Sequence, residues 1–155
     1  MKRDTLERSL RAHSFCSEFS APVVAFLSGC TKNARFAPNQ YLFKEDSDAD
    51  QLYLLREGKV ALESHLPGKG AVKVETLTGG GVLGWSVLFA PHRWHVDCRA
   101  LEPTLAFAVD GVCLRDKMQR DAVFAYAVTR RLLWEVHKRL ERARLQQLDV
   151  YKAEL

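Results

Sequence analysis

Residues 33–109 are broken repeatedly by turn-formers, whereas Ala122 to about Leu148 contains neither glycine nor proline. That contrast constrains the fold more than any other feature. In the first segment, Tyr41-Leu42-Phe43, Gln51 to Leu55, Val60-Ala61-Leu62 and Val72-Lys73-Val74 are short apolar-rich runs. Pro38-Asn39, Asp46 to Asp50, Gly58, Pro67 to Gly70 and Gly79-Gly80-Gly81 punctuate them. Two further runs, Trp94 to Ala100 and Leu105 to Val109, meet at Glu102-Pro103. Short strands at this spacing predict an antiparallel sandwich or roll. Gly84 to Phe89 fits one or two helical turns.

Helical periods flank the strands. Leu6, Leu10 and Phe15, then Val23, Val24, Phe26 and Leu27, predict two short helices lying against the roll. Ser20 is placed to cap the second, with Pro22 in its first turn and Gly29 past its end. Val112 and Leu114 to Met118 read as one short helix, and Ala122 to about Leu148 as one long helix. Along the latter, Val128, Leu132, Val136 and Leu140 recur at i+4, and Leu133, Val136, Leu140 and Ala143 recur at 3-4-3 spacing. This apolar surface is wider than one docking stripe needs. Val128, Leu132, Leu133, Val136 and Leu140 are therefore the expected seam of a homodimer. The alternative is one helix packed along its own roll with a frayed end. The chain reads as one domain: helices over 1–30, a β-roll over 31–110 with a short helix near 84–89, and C-terminal helices over 111–155.

The 155 residues, 47% apolar and 27% charged, suffice for one hydrophobic core and exclude wholesale disorder. No apolar run approaches the roughly 18–20 residues that span a bilayer, so no membrane partner is expected. Met1-Lys2-Arg3-Asp4-Thr5 is charged, and a secretory signal is not expected. Cys16, Cys30, Cys98 and Cys113 are scattered and form no CxxC pair. Neither a disulfide framework nor a zinc knuckle is expected, and the expected compartment is the reducing cytoplasm. Residues 115–147 carry nine Arg and Lys against four Asp and Glu. Such a stripe attracts nucleic acid or acidic lipid, although a solvated helix face is the plainer reading. Arg130, Arg131, Lys138, Arg139, Arg142 and Arg144 span several helix faces, which suits general attraction better than base readout.

The order of elements resembles the cyclic-nucleotide-binding domain of catabolite-activator-type regulators, kinase regulatory subunits and gated channels. Phe36 to Asp46 is similar to the family's opening hairpin, with Asn39 at a position usually Gly. Leu52 to Val60 is similar to its central hairpin, with the turn Gly58 in place, and Gly81-Val82-Leu83-Gly84 precedes the short helix as the family's glycines do. The resemblance implies an α+β fold: an antiparallel β-roll (a double-stranded β-helix, jelly-roll-like) flanked by N-terminal helices and a long C-terminal helix. It also implies a site in which the short helix cradles a cyclic phosphate with backbone amides. A Glu after the leading Gly binds the ribose, and an Arg at the start of the next strand neutralises the phosphate. Helix N-termini favour anions, and guanidinium matches phosphate geometry.

The ligand site departs from that pattern. Trp85 follows Gly84 where the family has Glu. Aligning the family strand's last Ala with Ala100 places Cys98 and Val96 on its apolar positions and Trp94, not Arg, on the phosphate-binding one. Alternation agrees: Trp94, Val96, Cys98 and Ala100 share one face, and Arg93, His95, Asp97 and Arg99 share the other. Arg93 then points outward unless a bulge near Pro91 rotates it. The expected ligand-contacting set is Leu83, Gly84, Trp85, Ser86, Val87, Arg93, Trp94 and His95. Indole offers one N–H donor and no charge, and each lost charge-assisted hydrogen bond costs on the order of 1.5–3 kcal/mol. A cAMP- or cGMP-like ligand is thus expected to bind weakly. Either Trp85 and Trp94 fill the old pocket as core, or they line a retuned one for a flat or apolar ligand, with Ser86 and the amides near Gly84 for a polar group. Trp134 and Tyr126 are packing residues or, as family C-terminal helices allow, pocket caps.

Other constellations carry little. His92 and His95 fall on opposite strand faces, so with Asp97 they make no expected metal site. Ser14 and Ser86 have no base at triad-like spacing, and Gly79-Gly80-Gly81 lacks the Lys-Ser/Thr of a P-loop. No catalytic residue and no cofactor are expected, so the chain does not read as an enzyme. Only Asp149 to Leu155 follow Leu148, short of the roughly 60 residues of a winged helix-turn-helix, and sequence-specific DNA binding is not expected. The expectation is a stand-alone regulatory sensor whose partners are a small molecule, a second copy and a downstream protein. The alternatives are a ligand-free interaction or dimerisation module and a weak nucleic-acid or anionic-surface binder.

Overall fold

Turn chemistry and strand alternation together produce two four-stranded antiparallel sheets, seen in a computed structural model that describes residues 2–154 and side chains from Thr5 to Ala153. Met1 and Leu155, the ends of the segments expected at 1–30 and 111–155, lie outside the described residues. The order is α1 (Lys2–Ala12), a 3-10 turn (Ser14–Cys16), α2 (Ala21–Ser28), β1 (Thr31–Phe36), β2 (Tyr41–Phe43), β3 (Gln51–Glu57), β4 (Lys59–Leu66), β5 (Gly70–Thr78) and β6 (Val82–Leu83). A second 3-10 turn (Trp85–Leu88), β7 (Asp97–Ala100), β8 (Thr104–Asp110), α3 (Gly111–Arg120) and α4 (Ala122–Glu154) complete it. One sheet runs β1-β8-β3-β6, the other β2-β7-β4-β5. This is the jelly-roll-like β-roll with flanking helices that the sequence implies.

The first sheet is covered on both faces, by the second sheet and by the helices, which explains its uninterrupted apolar runs. Leu52 to Leu55 on β3 and Ala106 to Val109 on β8 are all buried. Gly58 sits between β3 and β4 at φ +102°, where a Cβ would lie 2.5 Å from Thr104 Oγ1. Only glycine takes both that conformation and that closeness. Ser20 Oγ accepts from the Val23 N–H at the start of α2, and Asp110 accepts from the Cys113 N–H at the start of α3. His13 is buried, its Nε2 2.7 Å from the Leu55 carbonyl while Nδ1 accepts the Phe15 N–H.

Four expectations are corrected. β1 is a strand that the sequence pattern did not single out: Thr31–Phe36 alternates weakly because it is an edge strand, paired only with β8. β7 begins at Asp97 rather than Trp94, because the preceding segment is tied to a loop instead of a strand. There the Trp94 N–H donates to the Ser47 carbonyl, and the Asp46 N–H to the Trp94 carbonyl. Asp97 stays on the face of Glu63 and Arg99 but is covered there, accepting from the Glu45 N–H at 2.7 Å and meeting His65 Nδ1 at 3.2 Å.

The third correction concerns the cysteines. Cys30 and Cys113 form a disulfide across 83 residues, with Cα atoms 5.6 Å apart. Antiparallel pairing of β1 with β8 sets Thr31 opposite Val109, and this brings the chain entering β1 beside the chain leaving β8. Spacing in sequence carries no trace of that approach, and the cysteine argument for a reducing compartment falls with it. Cys16 and Cys98 stay free and buried, and burial pushes both thiols up to about 12. The fourth correction divides the expected dimer seam. Val128 and Leu132 are buried in their own chain's core, leaving Leu133, Val136 and Leu140 outward.

Candidate functional site

Gly84 opens the site. At φ +92°, a Cβ there would fall 2.8 Å from both the Gln51 carbonyl and Trp94 Cη2, so glycine is what lets the Trp94 ring lie against the backbone. Trp94 is 3% exposed and stacks on Phe43 with centroids 4.0 Å apart and planes 16° apart. It is a core residue. Its neighbour Arg93 is exposed, its side chain donating to the Asp46 carbonyl while its backbone forms an isolated antiparallel β-bridge with Asp48. No bulge turns it toward the interior. At the position where the resemblance implies a phosphate-binding Arg, this chain places an indole inside and leaves the guanidinium outside.

A cavity of about 160 Å³ remains beside Trp94, lined by Phe43, Leu62, Leu83, Gly84, Trp85, Ser86, Trp94, His95, Val96 and Arg139. Of the expected contacts, Leu83, Gly84, Trp85, Ser86, Trp94 and His95 converge on it. Val87 is instead fully buried, with its carbonyl accepting from Arg115, and Arg93 turns away. The short internal helix is a single 3-10 turn of four residues, too short to sum a helix dipole toward an anion.

The cation in the site was not foreseen there. Arg139 reaches in from α4, its guanidinium 4.2 Å over the Trp85 ring and its Nη2 donating to the Val82 carbonyl at 3.2 Å. Glu75 Oε2 lies 3.0 Å from Arg139 Nε but out of line with the N–H, so this buried donor makes no hydrogen bond. Burial pulls the Arg139 pKa below its ordinary value, with the nearby Glu75 carboxylate opposing. Glu75 also pairs with Arg142 at 2.6 Å. One carboxylate thus serves two guanidiniums, and the cluster keeps an excess positive charge beside the cavity.

The rest of the basic stripe is largely engaged within the chain. Arg131 and Lys138 both pair with Glu135, Arg144 with Glu141, and Arg130 donates to the Tyr126 hydroxyl. Tyr126 and Trp134 do not cap the roll. They stand with Phe19, Arg130 and Arg131 around a separate open cleft of about 610 Å³. Among the described residues, no helix is long and apolar enough to cross a membrane.

The family model for the cyclic nucleotide-binding domain matches residues 34–121. No curated protein sequence matches the chain. Solved structures do. One is a protein from Geobacter metallireducens assigned to cyclic nucleotide binding, 25% identical over 88% of this chain and 98% of that one, with a TM-score of 0.78. The sensor domain of the transcriptional regulator DNR from Pseudomonas aeruginosa is 16% identical over 90% and 94%, with a TM-score of 0.70. The regulatory subunit of a cAMP-independent protein kinase A from Trypanosoma cruzi, bound to guanosine, is 20% identical over 71% and 39%, with a TM-score of 0.64. The latter two are likenesses of fold alone.

Proposed function

Because the chain belongs to the cyclic nucleotide-binding domain family, we propose that it is a regulatory sensor whose roll site has given up the phosphate grip and takes a different small ligand. The observation that carries this reading is the exchange just ahead of β7: Trp94 inside and stacked, Arg93 outside. A cyclic phosphate entering the remaining 160 Å³ would meet two indoles and no strand Arg. The Trypanosoma cruzi protein supports a fold that does without the phosphate, since guanosine has none. Occupancy of the roll would shift α3 and α4 and so alter a partner surface.

The partners follow from α4. Its 33 residues extend for about 50 Å, and Leu133 and Leu140 are 65% and 66% exposed. With Val136 they form the reduced seam through which a second copy would pair. Sedimentation at micromolar concentration should give a dimer that Leu133→Asp with Leu140→Asp converts to monomer. A monomeric wild type would remove this part of the reading.

Thermal shift and tryptophan emission with cAMP, cGMP, guanosine and small aromatic acids test the sensor itself. Saturable stabilisation by a ligand without a cyclic phosphate is expected. Silence across that panel would favour the ligand-free interaction module, for which the filled Trp94 position is the supporting observation.

A further inference from the structure

Resting on the sensor reading, we infer that α4 supplies the anion-holding group of the roll cavity through Arg139, and that the ligand is a small organic monoanion with a flat apolar body. Three independent observations converge on this class. The first is size. A cavity of about 160 Å³ is well below the roughly 300 Å³ at which pockets for drug-sized ligands begin, so the occupant is smaller than a nucleotide. The second is shape and polarity. Trp85, Trp94, Phe43 and Leu83 provide flat or apolar walls, and Ser86 adds one hydroxyl.

The third is charge. Arg139 lines the cavity with a buried Nε–H that no acceptor satisfies, and a buried orphan donor is unfavourable until an acceptor arrives. Glu75 does not cancel the site, because Arg142 shares its carboxylate. A single negative charge would complete the neutralisation, whereas a neutral ligand leaves both the surplus charge and the orphan donor in place. Glu135, the other carboxylate near Arg139, is already paired with Arg131 and Lys138 and does not cancel it. A carboxylate accepts from a guanidinium at two oxygens, which fits a planar acid better than a spherical anion.

The arrangement also connects occupancy to output. In the family pattern the phosphate-holding Arg belongs to a strand, and the signal must travel to the C-terminal helix. Here the holding group is already on α4. A carboxylate drawing Arg139 away from Glu75 acts on the helix that carries the exposed Leu133 and Leu140.

Benzoate and its neutral isostere benzamide are the probes, titrated against the full chain by thermal shift and tryptophan emission. Benzoate should stabilise saturably and bind at least tenfold more tightly than benzamide. Arg139→Gln should abolish that preference, and Arg142→Gln, which leaves Glu75 to Arg139 alone, should weaken it. Glu75→Gln, which frees Arg139 of its competitor, should tighten benzoate several-fold and keeps the test decisive if Arg139→Gln fails to fold. Equal affinity for the two probes, or a benzoate preference that survives Arg139→Gln, overturns the inference while the sensor reading stands. No response to either probe overturns it as well. A guanosine response in the same assay would then leave the sensor reading intact, and silence there too would end both.

Discussion

On α3, Cys30 and Cys113 bond the entry to β1 to the first turn of the helix, and Lys117 donates to the Phe26 carbonyl at 2.6 Å while lying 4.4 Å over its ring. Farther along the chain, α4 is held over the cavity by Arg139 and Arg142 on one Glu75. The first fastening is covalent and indifferent to ligand or salt. The second is a charge cluster with an unsatisfied donor, so it exchanges partners at little cost. The helices are thus anchored covalently at α3 and releasable at α4. A domain that converts occupancy into movement needs that asymmetry, since a structure fixed at both helices transmits nothing.

The largest effect should come from the core side of the cavity. Trp94→Ala removes a fully packed ring and should destabilise by about 3–5 kcal/mol in denaturant unfolding. A loss below about 1 kcal/mol would mean that the ring does not fill the roll as described. Next is the covalent fastening. Cys113→Ser opens an 83-residue loop, and the chain-entropy relation puts the loss at about 4.5 kcal/mol as an upper figure. The intact mass of the oxidised protein should show two free thiols by alkylation under denaturation. Four would remove the covalent member of the comparison.

A smaller effect separates the two fastenings directly. Raising salt from low to about 0.5 M screens exposed charges, Arg142 first. Amide exchange in α4 near residues 135–142 should quicken a few-fold, while α3 near Cys113 stays protected. Equal response at both helices would contradict the distinction.

The smallest is a pH effect at His13, which joins the N-terminal turn to β3. Burial lowers its pKa in the folded state, outweighing the hydrogen bond to Leu55 that raises it. The unfolded chain therefore binds the proton more readily. Stability is complete above the unfolded value near 6.5 and falls as pH drops from there toward the lowered folded value. His13→Gln should flatten the melting profile between pH 7 and pH 5, and an unchanged slope would assign the dependence to another group.

Much of this architecture is legible in the amino-acid order because its causes are local. The hairpin at Gly58 follows from turn chemistry, the cap at Ser20 from side-chain reach, and the inward Trp94 from alternation with Cys98 and Ala100. What is missed has non-local causes. Arg139 looks like one more charge on a basic helix until Glu75 and Val82 are brought under it from the strands. Cys30 and Cys113 meet only because β1 and β8 pair. The expected seam loses two of its five residues for a related reason: period reports how wide an apolar surface is, not which part its own roll covers, and Val128 and Leu132 lie under that cover. Asp97 keeps its expected face with Arg99, but β7 starts three residues late, a boundary set by hydrogen bonds to Asp46 and Ser47.

Calorimetric titration of cAMP into the wild-type chain and into Arg93→Gln measures the exchanged grip most directly. The account predicts no saturable heat at micromolar nucleotide in either protein, because Arg93, ahead of β7, faces solvent. Micromolar binding to the wild type that disappears in Arg93→Gln would contradict it.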